Sequence, residues 1–304
     1  MPSPSASNWL KRPDGALRAP WQVAVFGGTL AAAAVAFGAV GLGLIAGTPV
    51  AALARAARIP LDQLATLGAV LVATLLTVRW VAPGTSAWAG VGLGAGTWRP
   101  VQVIVAALAG TMVVSVPTGL MLWFGAVEIV RAPANDAWWA AAWGAFTLLA
   151  PAALAEELLC RGFALSAVRD AIGARGAVVT TSLVFGALHA FNPGATTASL
   201  VAVTVAGLLL GTIRVVTGSL AAAWVAHLAI NLVQAVAYHA PLSGVDLPAP
   251  GYRLESRGPA WLTGGAWGPE GGVAVVAAML VATFGYTTWR AWRDARAVTS
   301  GPIP

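Results

Sequence analysis

Residues 138–161 read WWAAAWGAFTLLAPAALAEELLCR, and this stretch decides the fold class. Its first 18 residues carry no charge, and two adjacent glutamates, Glu156 and Glu157, follow directly, with Arg161 one turn later. A helix that crosses a bilayer needs about 20 mostly apolar residues. The stretch is therefore typical of a membrane-spanning helix that carries ionisable groups. Because such groups are costly within a membrane, they are functional candidates by default.

The rest of the chain repeats this apolar pattern. Hydrophobic residues make up 58% of the 304 positions, charged residues 9%, and the mean hydropathy is +0.79. A soluble domain carries roughly a quarter of its residues charged, so this composition excludes one. We predict an all-α, polytopic transmembrane helical bundle, without sheet because the apolar runs are continuous and not alternating. About eight spans are expected, at roughly 21–46, 61–82, 101–124, 138–160, 176–192, 197–216, 218–239 and 271–290.

The basic residues predict the orientation of these spans. With the N-terminus inside, 12 of the 17 Lys and Arg residues fall in cytoplasmic segments, as the positive-inside rule requires. Both termini are therefore expected in the cytoplasm, with Arg214 as a cytoplasmic anchor. The net charge of +6 has the same origin and does not indicate a nucleic-acid partner. A composition rich in Ala, Gly, Arg and Val with a single Lys is typical of a high-GC bacterium, which predicts the plasma (inner) membrane.

The span pattern divides the chain into five parts. We expect a cytoplasmic N-terminal segment, a first group of spans, a catalytic transmembrane core, an extracytoplasmic loop, and a last span with a cytoplasmic tail. Their predicted bounds are 1–20, 21–137, 138–240, 241–270 and 271–304.

The two glutamates are predicted to have different surroundings. Glu157 and Arg161 are four residues apart in the favourable acid-first order for an ion pair on one helix face. Adjacent helical residues diverge by about 100°, so Glu156 is directed away from Arg161. The Glu157–Arg161 pair has two open interpretations, as a structural ion pair or as part of a site.

Three more polar side chains lie within predicted spans. His227 and Asn231 are four residues apart and are expected to point into one cavity. His189 shares a helix face with Phe185. On the predicted topology, a cavity that opens to the cytoplasm reaches all of these groups.

These residues are suited to hydrolysis. A carboxylate and an imidazole can hold a water molecule and remove its proton, which assigns Glu156 and His189 as the water-activating pair. A second imidazole and an amide can stabilise an oxyanion, which assigns His227 and Asn231. A zinc site remains an alternative, with Glu156, His189 and His227 as ligands and water as the fourth. No HExxH spacing is present, so the sequence does not require a metal.

The same residues resemble a known family. EELLCR at 156–161, FGALH at 185–189 and HLAIN at 227–231 are similar to the EExxxR, FxxxH and HxxxN motifs of the CAAX prenyl protease and bacteriocin-processing (CPBP, Abi-like) intramembrane proteases. The resemblance covers about residues 138–240. Many relatives carry Phe where this chain has Cys160, a difference expected to alter packing.

The resemblance implies a helical core of about eight spans in which Glu156 activates water. It makes His189 the partner of Glu156, and His227 and Asn231 the oxyanion stabilisers. Glu157 and Arg161 complete the first motif and are the other candidate site residues.

We therefore predict an intramembrane protease that hydrolyses a peptide bond near the cytoplasmic membrane face, either glutamate-dependent or metalloendopeptidase-like. The expected partners are the lipid bilayer and a peptide or a hydrophobic or lipid-modified protein substrate. Two other hypotheses remain open. One is a non-catalytic membrane scaffold or bacteriocin-immunity protein of the same fold, and the other is a proton-coupled transporter that uses the same groups as a relay.

Overall fold

The computed structural model describes Lys11 and residues 17–81, 86–134, 137–248 and 250–299. Most of the predicted N-terminal segment (1–20) and the end of the predicted C-terminal tail (300–304) lie outside the described residues.

Helices build almost all of the described structure, as predicted. Their bounds are α1 Ala19–Ile45, α2 Pro49–Ala56, α3 Leu61–Val81, α4 Pro100–Trp123, α5 Trp138–Glu157, α6 Ala164–Leu188, α7 Thr197–Thr217, α8 Leu220–Leu232 and α9 Val273–Thr299. Segments of π-helix lie at Val35–Leu42 within α1, at Leu158–Phe163 after α5 and at Val233–Tyr238 after α8. Short helical turns lie at Ala87–Gly90, Ala95–Thr97, His189–Phe191, Ala260–Thr263, Gly265–Trp267 and Pro269–Gly271.

Seven helices in the described ranges are long and apolar enough to cross a membrane. One of them, Trp138–Phe191, has 54 residues, a length of about 80 Å against a hydrocarbon core of about 30 Å. Its backbone departs from helical geometry at Gly162, where ψ is −117°, and at Gly173, where φ is +76°. This segment contains the two predicted spans 138–160 and 176–192. The prediction of an all-α polytopic bundle is confirmed, and the chain is an integral membrane protein.

The surface of α4 shows how the bundle meets lipid. Large apolar side chains at helical spacing are exposed along one side of α4. Because exposed apolar patches of this size are rare in soluble proteins, this side is expected to face lipid. These residues are Val101, Ile104, Val105, Leu108, Met112, Val116 and Leu120.

The core of the bundle lies between α4, α7, α8 and α9. Its buried side chains include Val114, Leu209, Ala222 and Met279, one from each helix. Within a bilayer, small residues favour helix association because they let backbones approach closely. Gly110 of α4 shows this, since a Cβ there would overlap the carbonyl oxygen of Ala226 in α8.

A short turn between α7 and α8 sets the position of α8. Gly218 caps α7 in the left-handed region, with φ of +72°, and its N–H donates to the Arg214 carbonyl at 3.0 Å. Ser219 follows as the N-cap of α8, and its hydroxyl accepts from the Ala222 N–H at 3.2 Å. Gly218 adopts its left-handed conformation without the steric cost that a Cβ would bring.

A two-stranded ribbon is the exception to the helical prediction in the described ranges. β1 (Val127–Ala134) pairs antiparallel with β2 (Pro250–Ser256), and Ile129 faces Leu254 in the register. Both strands lie in segments that the sequence predicts as loops. Each is short, and each alternates apolar and polar residues only briefly, so neither is evident beside the long apolar runs.

Candidate active site

The end of α5 places the two glutamates on different sides of one helix. Glu156 and Glu157 form its last turn, and the π-helical segment Leu158–Phe163 begins at the next residue. π-Helical turns are rare in proteins, and those that do occur are often found at functional sites. The side chain of Glu156 is 39% exposed and that of Glu157 is fully buried. The predicted divergence of the two carboxylates is confirmed.

Glu157 is the centre of a buried charged network. Its Oε1 accepts from Arg161 Nη1 at 2.9 Å and lies 3.0 Å from His227 Nδ1. The predicted i,i+4 ion pair is confirmed, and His227 is a further member that joins α8 to α5. A buried pair of this kind depends on both partners, because loss of one leaves an uncompensated charge.

Arg161 connects this network to two more elements. Its Nη2 donates to the Gly207 carbonyl of α7 at 3.1 Å, and its guanidinium carbon lies 4.2 Å from the centre of the Phe185 ring. A guanidinium over an aromatic face adds a cation–π contact. The contact is close, since a Cβ at Gly207 would lie 3.2 Å from Arg161 Nη2 and 3.0 Å from the Cβ of Ser182.

Arg214, which the sequence predicts as a cytoplasmic anchor, is a buried residue in the structure. Its side chain is 5% exposed, and its Nε donates to the Arg161 carbonyl at 3.2 Å. Gly92, in the segment between α3 and α4, lies so close that a Cβ would be 2.5 Å from the Arg214 guanidinium carbon. Burial by a distant segment makes Arg214 a structural support for the turn that follows Glu157.

His227 lies between the two glutamates. Its Nδ1 faces Glu157, and its Nε2 is 3.8 Å from Glu156 Oε2. A neutral imidazole that donates from Nδ1 to a carboxylate has a lone pair at Nε2. The sequence predicts His189 as the partner of Glu156, whereas the histidine contact described for Glu156 is with His227.

His189 and Asn231 meet His227 at one cleft. The Nδ1 of His189 lies 2.8 Å from the Phe185 carbonyl, and the Phe185 ring contacts the rings of both histidines. The cleft has a cavity volume of ≈ 30 Å³, enough for about one or two water molecules. Seven apolar and five polar residues form its walls. They are Phe185, Ala202, Val203, Ala206, Leu210, Ile230 and Met279, with His189, His227, Asn231, Ser243 and Glu270.

Two of these wall residues, Ser243 and Glu270, were missed by the sequence-based prediction. They belong to the segment between α8 and α9, and Glu270 is one of three acidic residues in a loop without a recognisable motif. Nothing in the local sequence indicates that this loop folds back onto the bundle.

The zinc alternative requires three protein ligands that lie close together. The described parts of the chain contain no group of three or more His, Cys, Asp and Glu side chains that could hold a metal ion. The predicted ligand set Glu156, His189 and His227 therefore does not fit a metal in this arrangement.

The position of the cleft bears on two sequence predictions. Its α7 residues, Ala202 to Leu210, lie 5 to 13 residues after Thr197, and the α8–α9 segment closes the same end of the bundle through Ser243 and Glu270. The sequence predicts that segment (241–270) outside the cytoplasm, yet predicts cleavage near the cytoplasmic face. The cleft therefore lies next to a segment that the sequence predicts outside the cytoplasm, and the membrane face at which cleavage occurs stays a prediction.

Comparison with known proteins gives one match. Residues 137–233 match the family model described as Type II CAAX prenyl endopeptidase Rce1-like, and this range contains Glu156, Glu157, His189, His227 and Asn231. The match covers 97 of the 304 residues and supports the resemblance to the CPBP/CAAX protease family. No curated protein and no solved structure matches the chain. The family match and the apolar helices together indicate a CAAX-type intramembrane protease in general terms.

Proposed function

We propose that this protein is an intramembrane endopeptidase in which Glu156 and His227 activate a water molecule. The observation that carries the proposal is the 3.8 Å separation between Glu156 Oε2 and His227 Nε2. This distance is too long for a direct hydrogen bond, but one water molecule can donate a proton toward each atom. Glu157 holds the imidazole in the tautomer that this water requires, through the 3.0 Å contact at Nδ1.

The reaction follows from these positions. The water oxygen attacks the carbonyl carbon of the substrate while Glu156 takes one of its protons, so a carbon–oxygen bond forms and the carbonyl oxygen becomes negative. His189 and Asn231, which line the cleft together with His227, donate hydrogen bonds to that oxyanion. The carbon–nitrogen bond then breaks, and the proton held by Glu156 passes to the leaving amine. As that bond breaks, the oxyanion re-forms the carbonyl double bond, and the second hydrogen of the water stays on the new carboxyl group.

The cleft suits an apolar substrate. Seven of its twelve wall residues are aliphatic or aromatic, so a substrate side chain that contacts them is expected to be apolar. We infer a substrate segment that is itself apolar or lipid-modified and that reaches the site from the bilayer. The family description names CAAX prenyl endopeptidases, but a bacterial source, as the composition predicts, makes apolar peptides the favoured class for this chain.

Cleavage by the purified protein tests this proposal. Wild type and Glu156→Gln are reconstituted in nanodiscs with a library of hydrophobic peptides, each with and without a chelator, and products are identified by mass spectrometry. We expect cleavage by wild type that resists chelation and is absent in Glu156→Gln. Loss of cleavage with chelator would restore a metal mechanism. A wild type that cleaves nothing would favour a scaffold of the same fold.

A further inference from the structure

A polar cluster closes one end of the cleft and lies beyond the part of the chain that matches the family. Glu270, in the turn before α9, is 7% exposed and lines the cleft together with Asn231 and Ser243. The match to the family model ends at residue 233. A carboxylate so deeply buried requires hydrogen-bond partners, and their identity indicates what it does.

Three donors converge on the Glu270 carboxylate. Its Oε1 accepts from the Ser243 N–H at 2.7 Å and from the Ser243 hydroxyl at 2.6 Å. Its Oε2 accepts from Gln234 Nε2 at 2.6 Å, and the Glu270 N–H donates back to Gln234 Oε1 at 3.2 Å. Gln234 is fully buried and follows Asn231 by three residues on the same helical segment. The carboxylate therefore joins the Ser243 segment to the helix that carries Asn231.

Backbone contacts hold the Ser243 segment from two further directions. The Ser243 carbonyl accepts from Asn192 Nδ2 at 3.1 Å, just after the turn that contains His189. The Gly244 N–H donates to the Trp267 carbonyl at 3.0 Å. No side chain fits at Gly244, where φ is +80° and a Cβ would overlap the Pro193 carbonyl oxygen. The segment is packed backbone against backbone.

The same segment reaches the candidate active site through an aromatic contact. Trp267 is buried in a cluster with Phe185, Cys160 and Val203, and the Phe185 ring contacts both histidines of the site. The α8–α9 segment is therefore part of the wall of the cleft and is continuous with its catalytic side.

We propose that Glu270 is a positioning residue for the reaction proposed above: it fixes the Ser243 segment as a permanent wall of the cleft, so that this wall sets the space available to the substrate. The inference rests on the proposed function. A carboxylate suits this task because it only accepts hydrogen bonds, and all three groups that face it are donors. A glutamine at this position places its own NH₂ group against at least one of those donors.

Two measurements on Glu270→Gln test the proposal, with Glu255→Gln as the matched control. Glu255 lies in the same α8–α9 segment, but its carboxylate pairs with Arg253 and Arg257 outside the cleft. Hydrogen–deuterium exchange reports directly on the Ser243 N–H. We expect exchange at Ser243 to be faster by about tenfold or more in Glu270→Gln, because a charge-assisted hydrogen bond is lost, and unchanged in the control.

Kinetics on a peptide that wild type cleaves separates positioning from simple support of the fold. We expect KM to rise by about tenfold in Glu270→Gln with kcat nearly unchanged, the result of lost uniform binding. A merely structural role lowers the active fraction, and hence kcat, at constant KM. Cleavage by wild type together with unaltered KM, or unaltered exchange at Ser243, would overturn the role of Glu270 and leave the proposed function intact. Absence of cleavage by wild type would overturn the proposed function, and this inference with it.

Discussion

Replacement of Glu157 by glutamine should lower thermal stability, whereas the same replacement of its neighbour Glu156 should not. Glu157 is fully buried between Arg161 Nη1 at 2.9 Å and His227 Nδ1 at 3.0 Å. Glu157→Gln leaves the Arg161 guanidinium buried without its counter-charge, a change that costs about 3–5 kcal/mol. At roughly 2–4 °C per kcal/mol for a large domain, we expect Tm to fall by at least about 6 °C. Glu156→Gln changes a carboxylate that is 39% exposed and outside this pair, so its Tm should stay within about 1 °C of wild type.

Thermal unfolding and peptide cleavage are measured on the same preparations of wild type and both variants, in detergent and in nanodiscs. The expected pattern is a stable, inactive Glu156→Gln and an unstable Glu157→Gln. Equal Tm values for all three proteins would contradict the buried network. A destabilised Glu156→Gln would contradict the assignment of the two carboxylates to different surroundings.

Three further predictions concern packing, pH and orientation. Gly110→Ala should lower both Tm and activity, because the new Cβ overlaps the Ala226 carbonyl oxygen next to His227, whereas Gly119→Ala on the same helix meets nothing within 4 Å and should change neither. Burial lowers the pKa of His239 below its usual 6.5. The unfolded chain then binds the proton more readily than the folded one, so the contribution of His239 to stability is complete above about pH 6.5 and falls as the pH drops toward the folded-state pKa. The substitution His239→Asn, which tolerates the positive φ of 45° there, should therefore make thermal unfolding less dependent on pH between 7 and 5. Parallel pH curves for wild type and His239→Asn would contradict this cause. Asp246→Cys, exposed in the α8–α9 segment, should react with a membrane-impermeant maleimide in intact cells if the Lys and Arg distribution sets the orientation; labelling only after cell lysis would place that segment, and the cleft beside it, on the cytoplasmic side.

Local helical geometry explains what the sequence predicted correctly. The fold class follows from apolar runs of span length, and the Glu157–Arg161 ion pair follows from i,i+4 spacing, which needs no knowledge of other helices. The placement of Glu156 away from Arg161 is the same argument applied to a neighbouring residue. Each of these predictions depends on one helix at a time.

Contacts between distant segments explain what the sequence did not predict. His227 meets Glu157 only because α8 packs against α5, at a separation of 70 residues. Arg214 is buried because Gly92 packs over it, although an arginine near the end of a span is ordinarily an interfacial anchor. Glu270 joins the cleft through a loop whose folding back has no periodic signal. These arrangements are fixed by tertiary packing, so residue spacing within one helix does not show them.

The most direct test of the central claim is single-turnover cleavage of an identified peptide by wild type and by Glu156→Gln in nanodiscs. If Glu156 removes the proton from the attacking water, its replacement should lower the rate of the chemical step by at least about 100-fold, the typical contribution of a general base, with peptide binding and Tm unchanged. Cleavage by Glu156→Gln at the wild-type rate would contradict the account, because no other carboxylate in the described residues lies beside the Nε2 of His227.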